Sequence, residues 1–140
     1  MSRILCVIDG MTDPHFQVER YGHLASMGSV RYVDTCGGFP PETLHCVLRL
    51  LGVTDLDAKT EAALRAAERY PFVLLHINGA DEAAHRHDSA EKETFLRRVD
   101  DRVLSRLLAS QHEIMVASDH GADPESGAHL GGPQPFFTSR

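Results

Sequence analysis

Apolar runs alternate with amphipathic segments along this chain. Five apolar runs predict strands, at Arg3–Ile8, Val30–Asp34, Phe72–Ile77, Glu113–Ala117 and, as an edge strand, Pro135–Thr138. Helical periodicity predicts four helices, over Phe16–Met27, Glu42–Leu51, Asp57–Arg69 and Asp88–Leu108. Because strands alternate with helices, the sequence predicts an α/β fold with a mainly parallel sheet flanked by helices.

The length and composition are typical of one soluble domain. A chain of 140 residues with 42% hydrophobic and 24% charged residues is expected to form a single domain over residues 1–140. The net charge of −6 excludes a nucleic-acid binder that works through a basic face. The apolar start of the chain is too short for a signal peptide, and no run approaches the ~20 apolar residues of a membrane span. We therefore expect a cytoplasmic protein.

The three cysteines favour the same compartment. Cys6, Cys36 and Cys46 are odd in number and show no CxxC spacing. This pattern favours reduced, partly buried thiols over a disulfide or a thiolate metal site.

Three aspartates each come just after a predicted strand, namely Asp9, Asp81 and Asp119. In open α/β sheets, ligands lie beyond the carboxyl ends of the strands, so these carboxylates are expected to meet at one edge of the sheet. Taken singly, each aspartate would more often be a helix cap or a turn residue. Their shared position is what favours a functional site.

Three histidines accompany the aspartates. His85 lies four residues after Asp81, on the same face of a helical turn, and His120 directly follows Asp119. His129 lies in a glycine-rich loop that is too flexible for a packed core histidine. Each of the three is a candidate metal ligand.

Three aspartates and three histidines are the ligand inventory of a two-metal centre. Two divalent cations beside a hydroxyl nucleophile point to phosphoryl-transfer chemistry. Without cations, three crowded carboxylates would repel one another, and at least one would take up a proton. Oxygen and imidazole ligands without thiolate fit manganese, zinc, cobalt or iron better than magnesium or calcium, and manganese or zinc is expected.

A candidate nucleophile lies at the start of the predicted helix Glu42–Leu51. Thr43 is placed there, where backbone N–H groups and the helix dipole favour an anion. The alternative is that Thr43 only caps this helix.

Four sequence segments resemble cofactor-independent phosphoglycerate mutases of the archaeal-type branch, within the alkaline phosphatase superfamily. They are Asp9–Met11, Asn78–His85, Ser118–Gly121 and His129–Phe136. The resemblance implies a three-layer, alkaline-phosphatase-like core. It also implies one metal ion held by Asp81, His85 and His129, and a second held by Asp9, Asp119 and His120. The nucleophilic serine of the family falls on Thr43.

The chain departs from this family in two places. Between Gly52 and Asp57 the family inserts a second domain that covers the substrate, and here that cap domain is absent. Asn78 stands where the resemblance implies a lysine, which leaves Arg86 and Lys92 as candidate substrate-binding cations, although both are expected to face solvent. Without a cap, water is expected to reach the site.

The expected function is therefore a two-metal enzyme that hydrolyses phosphate esters of small metabolites, without a nucleic-acid or membrane partner and with a homo-oligomer possible. One alternative is a phosphoglycerate mutase, an isomerase completed by a partner chain. The other is a metal-binding remnant without catalysis.

Overall fold

A six-stranded sheet forms the centre of the molecule in the computed structural model, which describes residues 2–27, 29–33, 47–48 and 56–139. The strands are β1 (Arg3–Ile8), β2 (Ser29–Val33), β3 (Val47–Leu48), β4 (Phe72–Ile77), β5 (Glu113–Ala117), β6 (Gly121–Ala122), β7 (His129–Leu130) and β8 (Gln134–Thr138). The order in the large sheet is β2-β8-β5-β1-β4-β3, and β6 pairs separately with β7.

The central three strands are parallel and buried. β1 pairs with β4 on one side and β5 on the other, and Val7 lies opposite both His76 and Ala117. Among the described strands of the large sheet, only β8 runs against its neighbours, since it pairs antiparallel with β5 and β2. The predicted α/β fold with a mainly parallel sheet is confirmed.

The described helices pack on one face of this sheet. They are α1 (Gly22–Ala25), α2 (Leu56–Ala67), α3 (Gly79–His85), α4 (Ser89–Arg98) and α5 (Ser105–Ala109), with a 3₁₀ turn at Val18–Arg20. Their apolar side chains join the main core around Ile4, Cys6 and Ile8. The opposite face carries a second, smaller cluster that includes Leu5, Val7 and Leu74. Alternate residues of β1 thus point to two separate cores.

The predicted long helix Asp88–Leu108 is present as α4 and α5 joined by a π-helical turn, Val99–Leu104. Asp88 caps it, because its side chain accepts a hydrogen bond from the Glu91 N–H at 2.9 Å. The π turn contains the buried Asp100, whose carboxylate accepts the backbone N–H groups of His23 and Leu24 at 3.0 and 2.8 Å. A residue of the long helix therefore caps the N-terminus of α1.

Three sequence predictions were wrong. The segment Phe16–Met27 contains only the 3₁₀ turn and the short α1, and the N–H groups of His23 and Leu24 donate to Asp100 instead of to carbonyls of a preceding helical turn. Val47–Leu48, inside a predicted helix, is a strand parallel to β4. The predicted edge strand Pro135–Thr138 belongs to β8, which lies between β2 and β5, because the earlier β2 occupies the edge.

Two further expectations concern the cysteines and membrane-spanning segments. Cys6 is a free thiol, and burial raises its pKa to about 12, so the thiol stays protonated at neutral pH. Cys36 and Cys46 lie outside the described residues. Within the described ranges, we find no helix with the length and apolar character that crossing a bilayer requires.

Candidate metal centre

The carboxyl ends of β1, β4 and β5 bring the three predicted aspartates together. Asp9 directly follows β1, and its N–H donates to the Ile77 carbonyl at 2.7 Å, which extends the β1–β4 ladder by one residue. Asp81 lies in the first turn of α3, directly after β4. Asp119 follows β5 in an irregular stretch before β6. The sheet therefore gathers the carboxylates as the topology rule predicts.

One group of ligand atoms consists of Asp81, His85 and His129. Asp81 Oδ2 lies 3.3 Å from His85 Nε2, Asp81 Oδ1 lies 3.2 Å from His129 Nε2, and the two Nε2 atoms are 3.1 Å apart. Ligands that bind one tetrahedral ion at ~2.0–2.2 Å are roughly 3.3–3.6 Å from one another. The spacing of these three side chains therefore fits a single shared cation.

A second group surrounds Asp9. Its Oδ1 lies 2.7 Å from His120 Nε2, and Asp119 Oδ2 lies 3.8 Å from the same nitrogen. The ring of His120 is oriented by its Nδ1–H, which donates to the Gly121 carbonyl at 2.7 Å. This bond leaves Nε2 free to act as a metal ligand. The ligand atoms of Asp9, Asp81 and His120 lie within 4.8 Å of one another, and Asp119 joins Asp9 in another group of this kind.

Two buried carboxylate oxygens indicate whether this group of side chains suits a metal cation. Among the described residues, Asp9 Oδ1 and Asp81 Oδ1 are buried and accept no hydrogen bond, although each faces an imidazole nitrogen. Burying a polar oxygen without a partner costs about 1–3 kcal/mol, more when it is charged. Lone pairs that converge without protons between them suit a metal ion, so the donor set fits divalent cations.

The protonation of the site reflects the same crowding. The pKa of Asp9 is raised from 3.8 to about 7. Burial is the largest cause, and a hydrogen bond with Asp119 and the charges of Asp119 and Asp81 add to it. For His120, burial lowers the pKa, but the bond to Gly121 and the surrounding carboxylates outweigh burial, and the pKa is raised. The direction of the Asp9 pKa agrees with the expectation that crowded carboxylates favour protonation without cations, and burial is its largest cause.

His76 is a site residue that the sequence pattern does not reveal. It lies inside the apolar strand β4, and its Nε2 lies 3.9 Å from Asp9 Oδ2. Asp9, His76 and Asp119 form another group whose ligand atoms all lie within 4.8 Å of one another. The available signal was a polar residue at the carboxyl end of a predicted central strand.

The two candidate substrate-binding cations occupy different positions. Lys92 is only 2% exposed, so the expectation that it faces solvent is wrong. Its ammonium donates to Asp13 Oδ2 at 2.8 Å and to the carbonyls of Thr12 and Ala122 at 3.1 and 2.7 Å. All three N–H groups are therefore used within the protein. Arg86 is exposed and pairs with Glu91.

Thr43 and residues 49–55 lie outside the described residues, so the nucleophile and the missing cap stay predictions.

A glycine between β1 and α3 sets how closely the ligands approach. Gly10 has φ +67°, and a Cβ there would lie 2.9 Å from Ala122 Cβ and 3.0 Å from Asp81 Cα. We expect Gly10→Ala to destabilise the protein by about 2 kcal/mol through backbone strain and to weaken metal binding by displacing Asp81. Urea denaturation and zinc titration measure both effects. Gly22→Ala is the control, since nothing lies within 4 Å of its added Cβ; equal effects of the two variants would contradict the prediction.

Comparisons with known proteins show the family of this chain. The model of a family described as the Metalloenzyme superfamily matches residues 17–139. The chain is 37% identical over 86 residues to 2,3-bisphosphoglycerate-independent phosphoglycerate mutase 2 of Methanothermobacter thermautotrophicus, an alignment that covers 59% of this chain and 21% of the relative. It is 30% identical over 120 residues to mutase 1 of the same organism, which covers 85% of this chain and 26% of the relative.

A solved structure supports the fold. The PH0037 protein from Pyrococcus horikoshii superimposes with a TM-score of 0.56 at 27% identity, over 61% of this chain and 27% of that chain. The present chain therefore spans about a quarter of the length of the proteins that it resembles.

Proposed function

Because this chain belongs to the Metalloenzyme superfamily, we propose that it is a metal-dependent phosphoryl-transfer enzyme, and more specifically a phosphate ester hydrolase. The observation that carries the proposal is the convergence of Asp9 Oδ1 and Asp81 Oδ1, both buried and without a hydrogen bond among the described residues, on imidazole nitrogens. The named relatives, which are phosphoglycerate mutases, support phosphoryl transfer as the reaction class.

We assign the ligands as the family resemblance implies. Asp81, His85 and His129 would hold one divalent ion, and Asp9, Asp119 and His120 the other, with manganese or zinc as the expected metals. When bound, the two ions would supply positive charge for an alkoxide and for the phosphoryl oxygens. Their charge would also reverse the local field of a protein with a net charge of −6, which otherwise repels an anionic substrate.

Thr43 is the proposed nucleophile. Its hydroxyl oxygen would form a bond to phosphorus while the ester oxygen leaves, and water would then release phosphate from the threonine. The carboxylates around Asp9 provide acceptors for the hydroxyl proton. The substrate is a small phosphorylated metabolite, held without the cap domain that the family inserts between Gly52 and Asp57.

The exposure of the first group of ligands favours hydrolysis over mutase activity. The side chains of His85 and His129 are 50% and 54% exposed, so water can approach the proposed phosphoryl site. A mutase must exclude water from its phosphorylated intermediate while the substrate reorients in the site. Mutase activity remains the second candidate because of the relatives' names, and it would require a partner chain or a second copy to cover the site.

A metal-binding remnant without catalysis is the third candidate. It is favoured by the positions of Lys92, whose ammonium is fully hydrogen-bonded, and Arg86, which pairs with Glu91. Neither offers an unpaired cation to a phosphate in this structure.

Turnover of p-nitrophenyl phosphate separates these candidates. We expect activity that depends on added manganese or zinc, and a loss of at least about 100-fold in Thr43→Ala because no hydroxyl remains to attack. Thr43→Ser is the matched control, since it keeps the hydroxyl and should keep most of the activity.

Three outcomes distinguish the alternatives. Two bound ions without turnover of any phosphate ester would show the remnant to be correct. Interconversion of phosphoglycerates without net phosphate release would favour the mutase. Equal activity in Thr43→Ala and wild type would remove Thr43 as the nucleophile.

A further inference from the structure

Three neighbouring strands present one row of polar side chains on the same face of the sheet. Successive residues of a strand alternate between the two faces. Val7 and Ala117 both belong to the smaller apolar cluster, so Asp9 and Asp119, two residues further along each chain segment, continue on that face. His76 lies opposite Val7 in the register and therefore also belongs to this face.

The side chain of His76 ends against Asp9. Its Nε2 lies 3.9 Å from Asp9 Oδ2, while the other carboxylate oxygen, Oδ1, lies 2.7 Å from His120 Nε2. Asp9 therefore faces one imidazole with each of its oxygens. The ligand atoms of Asp9, His76 and Asp119 lie within 4.8 Å of one another.

The backbone fixes His76 in this position. The residues on both sides of it, Leu75 and Ile77, are each 1% exposed and belong to the main core. Lys59, itself 8% exposed, donates to the His76 carbonyl at 3.4 Å. The imidazole, in contrast, is 38% exposed at the edge where the carboxylates meet. It is thus held at the site by a rigid strand rather than by a loop.

We propose that His76 is a further ligand of the second metal ion, through Nε2. That ion would then have four protein ligands, the carboxylates of Asp9 and Asp119 and the imidazoles of His120 and His76. The inference rests on the proposed function only in requiring that an ion binds there. The first ion, with Asp81, His85 and His129, would keep three protein ligands and more open positions for substrate.

Cobalt(II) is the probe for this proposal. We expect the full-length protein to bind two Co²⁺ ions, and His76→Ala and His76→Gln to lower the affinity for one of them by about 100-fold while leaving the other unchanged. His15→Gln is the control, because the side chain of His15 is 70% exposed and, among the described residues, pairs only with the exposed Glu125. Circular dichroism checks that the variants are folded.

The number of coordinated imidazoles gives a readout that a structural role would not change. Proton NMR of the cobalt protein should show four hyperfine-shifted imidazole N–H signals in the wild type and three in the His76 variants. Three signals in all proteins, or unchanged affinity for both ions, would overturn the proposal. A protein that binds two ions with four imidazoles yet hydrolyses no phosphate ester would refute the proposed function and leave the role of His76 intact.

Discussion

Asp81→Asn is expected to remove the first metal ion and to weaken binding of the second. Asp81 reaches three imidazoles, with Oδ2 3.3 Å from His85 and Oδ1 3.2 Å from His129 and 3.8 Å from His120. An amide keeps the shape of the carboxylate but loses its charge and one acceptor oxygen. We expect the affinity for the first ion to fall by at least about 100-fold and phosphate ester turnover by about 1000-fold.

Metal content after dialysis against graded free zinc measures the first effect, and p-nitrophenyl phosphate turnover the second. Glu82→Gln provides the matched control, since Glu82 is the next residue of α3 and is exposed. Full occupancy of both ions in Asp81→Asn would show that the first group of side chains is not a metal site.

Asp9→Asn is expected to stabilise the metal-free protein at neutral and alkaline pH. The pKa of Asp9 is raised from 3.8 to about 7, so the fold penalises the charged carboxylate. The contribution of Asp9 to stability is therefore greatest below about pH 4, where the carboxyl is protonated in both folded and unfolded chains, and it is lost as the pH rises from 4 through 7. Three pKa units correspond to about 4 kcal/mol, which is the upper bound of the gain expected at pH 8.

Urea denaturation in a metal chelator between pH 4 and pH 8 tests this prediction. The difference in unfolding free energy between variant and wild type should grow with pH and be smallest at pH 4. Added zinc should reverse the order, because the wild type gains binding energy that Asp9→Asn cannot gain. A variant less stable than the wild type at every pH would contradict the raised pKa of this carboxyl group.

The sequence predicts the centre of the fold better than its margins. β1, β4 and β5 lie where their apolar runs place them, since parallel strands buried on both faces leave continuous apolar stretches. The apolar spacing around Val47–Leu48 fits a helix equally well, and only pairing with β4 makes these residues a strand. The place of β8 between β2 and β5 depends on contacts with a strand far away in the sequence.

In the candidate site, too, some positions follow from the sequence pattern and others depend on contacts between distant segments. Asp9, Asp81 and Asp119 are found together because a rule of sheet topology applies to each of them. His76 was missed because its neighbours in β4 are apolar, and only the register with β1 shows that it reaches Asp9. The burial of Lys92 depends on the carbonyls of Thr12 and Ala122, which come from separate segments of the chain. Such convergence has no local sequence signal.

The position of β8 also bears on the order in which the sheet is assembled. Among the described strands, β2 pairs only with β8, in a register that joins Ser29 to Thr138 and Val33 to Gln134. Roughly a hundred residues separate the partners. The entropy cost of closing this long loop comes before the strand pairing can stabilise the fold. On the ribosome, β2 emerges long before its neighbour exists. We therefore expect this edge to join the sheet last, although β2 is among the first strands to be made.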